Sequence, residues 1–192
     1  MRTIIILLFV LLTISTSLKA QNHTFGIELD PASFIFNGYS LSVKYSPENL
    51  NRISFMASVY SSDFPDGMML KENKNNGWSE MKFNTSFAFF TDFYFNNSKT
   101  GFHVGPSVFY YDKTVSQSPT NESVTFNTVY PNIRAGYVWY PFDGMNLYLN
   151  PYVNVGSEIN IDSKNKIGDN EFKPNTFNYV MAIHFGYGFN LK

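Results

Sequence analysis

The 192-residue chain contains no cysteine. That absence excludes a disulfide framework, a thiolate metal site and a lipid-modified cysteine following an export signal. Charge is also scarce. Asp, Glu, Lys and Arg make up 15% of the residues and sum to a net −1, so nucleic acid, which calls for a basic patch, is not an expected partner. Only three histidines, His23, His103 and His184, are available as metal ligands or general bases. Asp162, Asp169, Asn170 and Glu171 could attract a cation, but without EF-hand spacing. No metal and no cofactor is expected. Beyond the amino terminus, no apolar run approaches the roughly 18 residues that a transmembrane helix requires.

What the chain does have is aromatic bulk. Phe, Tyr and Trp make up 18% of it, while the mean hydropathy is only −0.18. A barrel with one face in lipid and one face polar reconciles the two figures. The amino terminus reads as an export signal. Met1 and Arg2 precede the apolar run Ile4-Ile5-Ile6-Leu7-Leu8-Phe9-Val10-Leu11-Leu12, followed by small residues up to Ala20. The expectation is a cleaved signal peptide at residues 1–20 and a single domain at residues 21–192.

After residue 21 the dominant period is two, the signature of strands. Eight are expected, at residues 23–30, 37–46, 52–62, 81–95, 101–112, 124–140, 145–160 and 176–191. The last sets Phe177, Tyr179, Met181, Ile183, Phe185, Tyr187 and Phe189 against Asn178, Val180, Ala182, His184, Gly186 and Gly188. In the fourth, Phe83, Phe87, Phe89, Phe93 and Phe95 oppose Lys82, Asn84, Ser86, Ala88 and Asp92. Pro106, Pro131 and Pro151 fall on apolar faces and predict bulges or local irregularity. The connections sort by length. Residues 46–51, 96–100 and 141–144 are tight, the last carrying the hairpin signal Asp143-Gly144. Residues 63–80, 113–123 and 162–175 read as long polar loops, and 31–36 as a shorter one. Short turns on one side and longer loops on the other are what a transmembrane barrel predicts.

Volume decides which face is inside. Eight strands enclose a space that side chains just fill, too little for the aromatic face, whereas the opposite face is rich in Gly, Ser, Ala and Asn. The expected fold is therefore an all-β, eight-stranded, antiparallel up-and-down transmembrane barrel with its apolar face outward. Phe25, Tyr45, Phe93, Phe95, Phe102, Trp139 and Phe189 lie near the tight turns and would form a periplasmic aromatic girdle. The inward polar set is Glu28, Asp30, Lys44, Asp92, His103, Arg134 and His184. It reads as a paired structural network rather than a pore constriction or proton site, because unpaired buried charge is costly. Met68, Met69, Leu70 and Trp78 stand out in a polar loop, as a cover for the barrel mouth, a contact to the outer leaflet, or a partner-binding tip.

The run from Phe177 to Phe189 resembles the terminal strand by which outer-membrane proteins are recognised for assembly. The stretches Gly101-Phe-His-Val-Gly-Pro106, Arg134-Ala-Gly-Tyr-Val-Trp-Tyr-Pro141 and Leu149-Asn-Pro-Tyr-Val-Asn-Val-Gly156 are similar to small uncharacterised barrels of Bacteroidetes, OmpA- and OmpX-like in architecture. The resemblance implies an outer-membrane location, lipid and lipopolysaccharide as surroundings, and the barrel assembly machinery as a partner during insertion. It also fits a monomer with a structural or surface-interaction role and a possible extracellular ligand at the loops. Two alternatives stand beside it, a lipid A-modifying enzyme and a soluble periplasmic ligand-binding barrel. The deacylase type requires a His-x-Ser pair, which none of the three histidines has. His103 and Ser107 share a face but stand about 13 Å apart along a strand. The palmitoyltransferase type places a histidine near the extracellular rim, and the long loops contain none. No catalysis is expected.

Overall fold

The computed structural model describes residues 24–118 and 120–190. The expected signal peptide, His23 and Leu191 lie outside the described residues. Strands β1 (Thr24–Leu29), β2 (Tyr39–Ser46), β3 (Ile53–Asp63), β4 (Trp78–Tyr94), β5 (Gly101–Gln117), β6 (Glu122–Val138) and β7 (Leu147–Gly156) each pair with the next. Three two-residue strands follow: β8 (Ile159–Asn160), β9 (Lys166–Ile167) and β10 (Asn170–Glu171). The last strand, β11 (Asn178–Asn190), pairs antiparallel with both β7 and β1. The ring is closed: eight long strands, all antiparallel. β8 carries on the register with β6 that β7 leaves at Gly156, and β9 with β10 makes a small outlying hairpin.

Period two in the sequence becomes alternation between lumen and exterior. Ile27, Val43, Phe89, Val108, Ile133, Met181 and Phe185 are exposed on the outer wall, while Glu28, Ser42, Lys44, Asp92, Arg134 and Asn150 are buried inside. The tight turns gather at one end, where Gly144 takes a φ of 75° that suits glycine. At the other end stand α1 (Pro31–Ile35), a 3-10 turn (Asp66–Met68) and α2 (Lys71–Asn75). Asp30 is not part of the wall. Its carboxylate caps α1 by accepting from the Ala32 amide at 3.0 Å, and Pro31 at the first helical position fits the fixed φ of that turn.

Three expectations are corrected. The loop expected at 113–123 is largely strand, because the β5–β6 ladder runs on to Gln117 opposite Glu122. Thr114 and Thr125 bond on its outer face at 2.8 Å, while Val115 and Phe126 are buried. Polarity there marks the outer face of a hairpin, not a loop. Residues 63–80 and 162–175 likewise contain turn, helix and hairpin elements. Phe83 points inward instead of outward. Register irregularities between Ser79 and Lys82 and between Phe83 and Phe87 reverse the alternation, so Phe83 packs on Tyr60, Phe64 and Tyr111 while Lys82 is exposed. At the three prolines the structure shows the local irregularity expected, without the bulges. Pro106 and Pro151 each leave a gap in one ladder, opposite Thr91 and Tyr137, and the partners on both sides keep the same register. Pro131 sits where β6 passes from β7 to β8. The interior, finally, is not only small and polar. It holds an aromatic layer of Phe90, Phe109, Tyr111 and Tyr130 with Met56.

Candidate functional site

The lumen is stacked in layers along the barrel. At the turn end, Tyr94, Val138 and Tyr148 form an apolar floor. Above it lie two carboxylates that are fully or almost fully buried. Glu28 faces Lys44 at 3.5 Å and His184 Nδ1 at 2.8 Å, and it accepts from the Tyr148 hydroxyl at 2.9 Å and from Asn150 Nδ2 at 3.3 Å. Asp92 faces Arg134, with Nη1 at 3.4 Å from both carboxylate oxygens, and His103 Nδ1 at 3.2 Å. Asn150 joins the two groups, since its Oδ1 lies 3.0 Å from His103 Nε2. The backbone makes room for this. A Cβ on Gly186 would stand 2.2 Å from the Tyr148 ring, so only glycine lets Tyr148 reach Glu28.

Two carboxylates are thus matched by two permanent cations, which lowers the cost of burying any one of the four charges. The cations also lie against aromatic faces. The Arg134 guanidinium is 4.0 Å from the Tyr152 ring centroid and 4.5 Å from that of Phe90, and the Lys44 ammonium is 5.3 Å from Tyr148 and 5.4 Å from Tyr94. This stacking surrounds Arg134 Nε and Nη2, which make no hydrogen bond among the described residues. His184 spans two partners, with Nδ1 2.8 Å from a Glu28 oxygen and Nε2 2.9 Å from the Tyr152 hydroxyl.

Above the network sits the aromatic layer, then a buried pair, Lys113 with Glu158, whose ammonium lies 4.9 Å from the Tyr111 ring and 5.3 Å from Phe83. The mouth is capped by Met69, Trp78, Met81, Val115, Phe126 and Phe172. Trp78 meets Phe172 edge-on at 5.7 Å. The loops that bring these residues together are fastened to each other. Buried Asn73 of α2 donates to the Lys173 carbonyl and accepts from the Lys173 amide, both at 2.9 Å. On the surface the Lys173 ammonium reaches Glu72 at 2.5 Å, which raises its pKa. Between cap and network lies a cavity of about 700 Å³, running from His184 and Ser42 up to Met68 and Asn175.

Of the seven polar residues singled out in the sequence, six (Glu28, Lys44, Asp92, His103, Arg134 and His184) meet in one buried network. Asp30 instead caps α1 at the rim. Of the girdle residues, Phe93, Phe95, Phe102, Trp139 and Phe189 are exposed on the outer wall towards the turn end, and half-buried Phe25 packs on Tyr45 at 5.0 Å. The loop quartet is divided. Met69 and Trp78 are buried in the cap, Leu70 is half-buried at the start of α2, and Met68 is 70% exposed. Tyr148, Asn150, Tyr152 and Glu158 were within reach of the sequence, since all share the inward parity of the seventh expected strand. Asn73 and Phe172 were not, because their roles arise from contacts between distant loops. Among the described residues, no three His, Asp or Glu side chains stand close enough to hold a metal ion.

No family model and no curated protein sequence matches the chain. Among solved structures it is similar to the N-terminal β-barrel domain of Pseudomonas aeruginosa OprF, at 12% identity and a TM-score of 0.47, over 89% of this chain and 100% of that one. It is also similar to Neisserial surface protein A, at 8% identity and a TM-score of 0.45, over 87% of this chain and 93% of that one.

Proposed function

We propose that the chain is an outer-membrane barrel with an occluded lumen, serving a structural or surface-interaction role through its capped loop end. The observation that carries this reading is the outer wall. From Phe25 to Leu29, Leu41 to Tyr45, Phe87 to Phe93, Phe102 to Tyr110, Val129 to Trp139, Leu147 to Val155 and Phe177 to Phe189, every outward position is apolar or aromatic except Thr91. Charged and amide side chains appear outward only beyond that band. Lys82, Asn84, Asp112, Thr114, Thr125 and Asn127 mark the loop end, and Arg52, Asn97, Lys99 and Asp143 the turn end. A protein in water has no reason to keep charge off so broad a surface, whereas lipid makes each outward charge costly.

The experiment is flotation of the refolded protein with phospholipid vesicles, with unboiled and boiled samples compared by electrophoresis. The expected outcome is migration with the vesicles and a heat-dependent mobility shift. Recovery in the soluble fraction with no shift would overturn the membrane reading and favour a soluble ligand-binding barrel.

A further inference from the structure

Near its loop end the barrel wall has a place where no strand closes it. β1 stops at Leu29, opposite Phe185, but β11 runs on towards the loop end as far as Asn178, paired there with β7 alone. Across the gap, β2 likewise extends past the last partner of β1, to Tyr39. α1 fills the space between them, and it is fastened on one side only. Asp30 N donates to Ser40 Oγ at 3.2 Å, Asp63 N to the Phe36 carbonyl at 2.7 Å, and Asn37 Nδ2 to Asp63 Oδ2 at 2.9 Å. All of these lead to β2 and β3. Towards β11, among the described residues, α1 makes no hydrogen bond. The seam between α1 and β11 is therefore held by contact rather than by a ladder.

The seam joins two spaces. On the outer wall an open apolar groove of about 1300 Å³ runs past Ile35, Val153, Ile183 and Phe185. It shares Asp30, Ala32, Tyr152, Met181 and Ala182 with the interior cavity. Inside, β2 and β3 offer the hydroxyls of Ser40, Ser42 and Ser58, and the next strands, β4 and β5, offer Phe90, Phe109 and Tyr111. The buried charges nearby are already matched, Lys113 by Glu158 and Glu28 by Lys44, which leaves none spare for an ionic headgroup. At about 700 Å³ the cavity falls within the roughly 300–1,000 Å³ common for small-ligand sites.

We infer that the seam between α1 and β11 admits a neutral, single-chain amphiphile from the surrounding lipid into the interior cavity, its chain against the aromatic wall and its hydroxyl or ester head against the serines. The inference rests on the membrane reading. The chain's two tryptophans make a test practical, because Trp139→Phe leaves Trp78, which packs on the cavity-lining Phe172, as the sole emitter. A dibrominated monoacylglycerol, whose bromines quench only at short range, is titrated into phosphatidylcholine vesicles carrying this variant. Saturable loss of Trp78 emission is expected. The protein has no cysteine, so Ala32→Cys and Ala182→Cys can be bridged selectively with a short bis-maleimide, and bridging is expected to abolish the quenching while either single cysteine leaves it intact.

Absence of saturable quenching in protein that floats with the vesicles and keeps its heat-dependent mobility would overturn the inference and leave the membrane reading standing. Quenching that persists after bridging would overturn the lateral route. Failure to float would strike the membrane reading itself.

Discussion

At the scale of the residue, the molecule turns on how Glu28 is held. Its two oxygens serve Lys44, His184, Tyr148 and Asn150 at once. Removing such a centre does more than delete contacts, because it strands the partners. Glu28→Ala is expected to destabilise the folded barrel by about 3–5 kcal/mol, the cost of leaving a buried counter-charge unpaired, read as a shift of the urea midpoint in vesicles. A change below about 1 kcal/mol would mean that water already reaches Lys44 and His184. The sequence showed that Glu28 and Lys44 share a face. It could not show that Asn150 links the Glu28 group to the Asp92 group, since that depends on side chains of β1, β5 and β7 meeting in the lumen.

At the scale of the element, the outer wall and the loop fastenings make separate claims. Met181, the fourth residue of β11 and 72% exposed, lies in the apolar band, whereas Thr125 stands above it on the β5–β6 hairpin. Met181→Arg is expected to cost about 2–4 kcal/mol in a bilayer and Thr125→Arg about 0–1 kcal/mol, measured by reversible unfolding in the same vesicles. Equal costs would remove the boundary drawn between them. The fastening of α2 rests on Asn73, 1% exposed and bonded twice to Lys173. Asn73→Ala is expected to leave the barrel folded but speed tryptic cleavage after Lys71 and Lys74 several-fold, in line with the low stability of released loops, followed by mass spectrometry. Elements that repeat strictly, such as β11, could be read directly from the sequence. β4 could not, because two register irregularities turn Phe83 inward, and irregularities are set by neighbouring strands rather than by local pattern.

At the scale of the whole molecule, the layers inside decide whether the barrel conducts. Glu28, Arg134, Asn150 and Asn154 are all 0% exposed at the level of the network. Eight strands enclose little more than the side chains that fill them. Planar-bilayer recordings of the reconstituted protein are therefore expected to lack stable open levels. Sustained conductance that disappears with Asp92→Ala would show instead that the network is a gate.

The sequence alone determined the alternation, the count of eight strands, the sorting of short turns to one end, and the outward bulk of Phe and Tyr. Each follows from local periodicity and from the volume that eight strands can enclose. Only the tertiary structure decided which inward residues pair, that Asp30 leaves the wall to cap a helix, that Met69 and Trp78 are buried while Met68 is not, and that β1 stops short and leaves a seam beside β11. Those features depend on closure. Pairing of the first strand with the last brings residues more than a hundred positions apart, Glu28 with Tyr148 and His184 among them, into contact inside the ring, and no pattern along the chain encodes that distance.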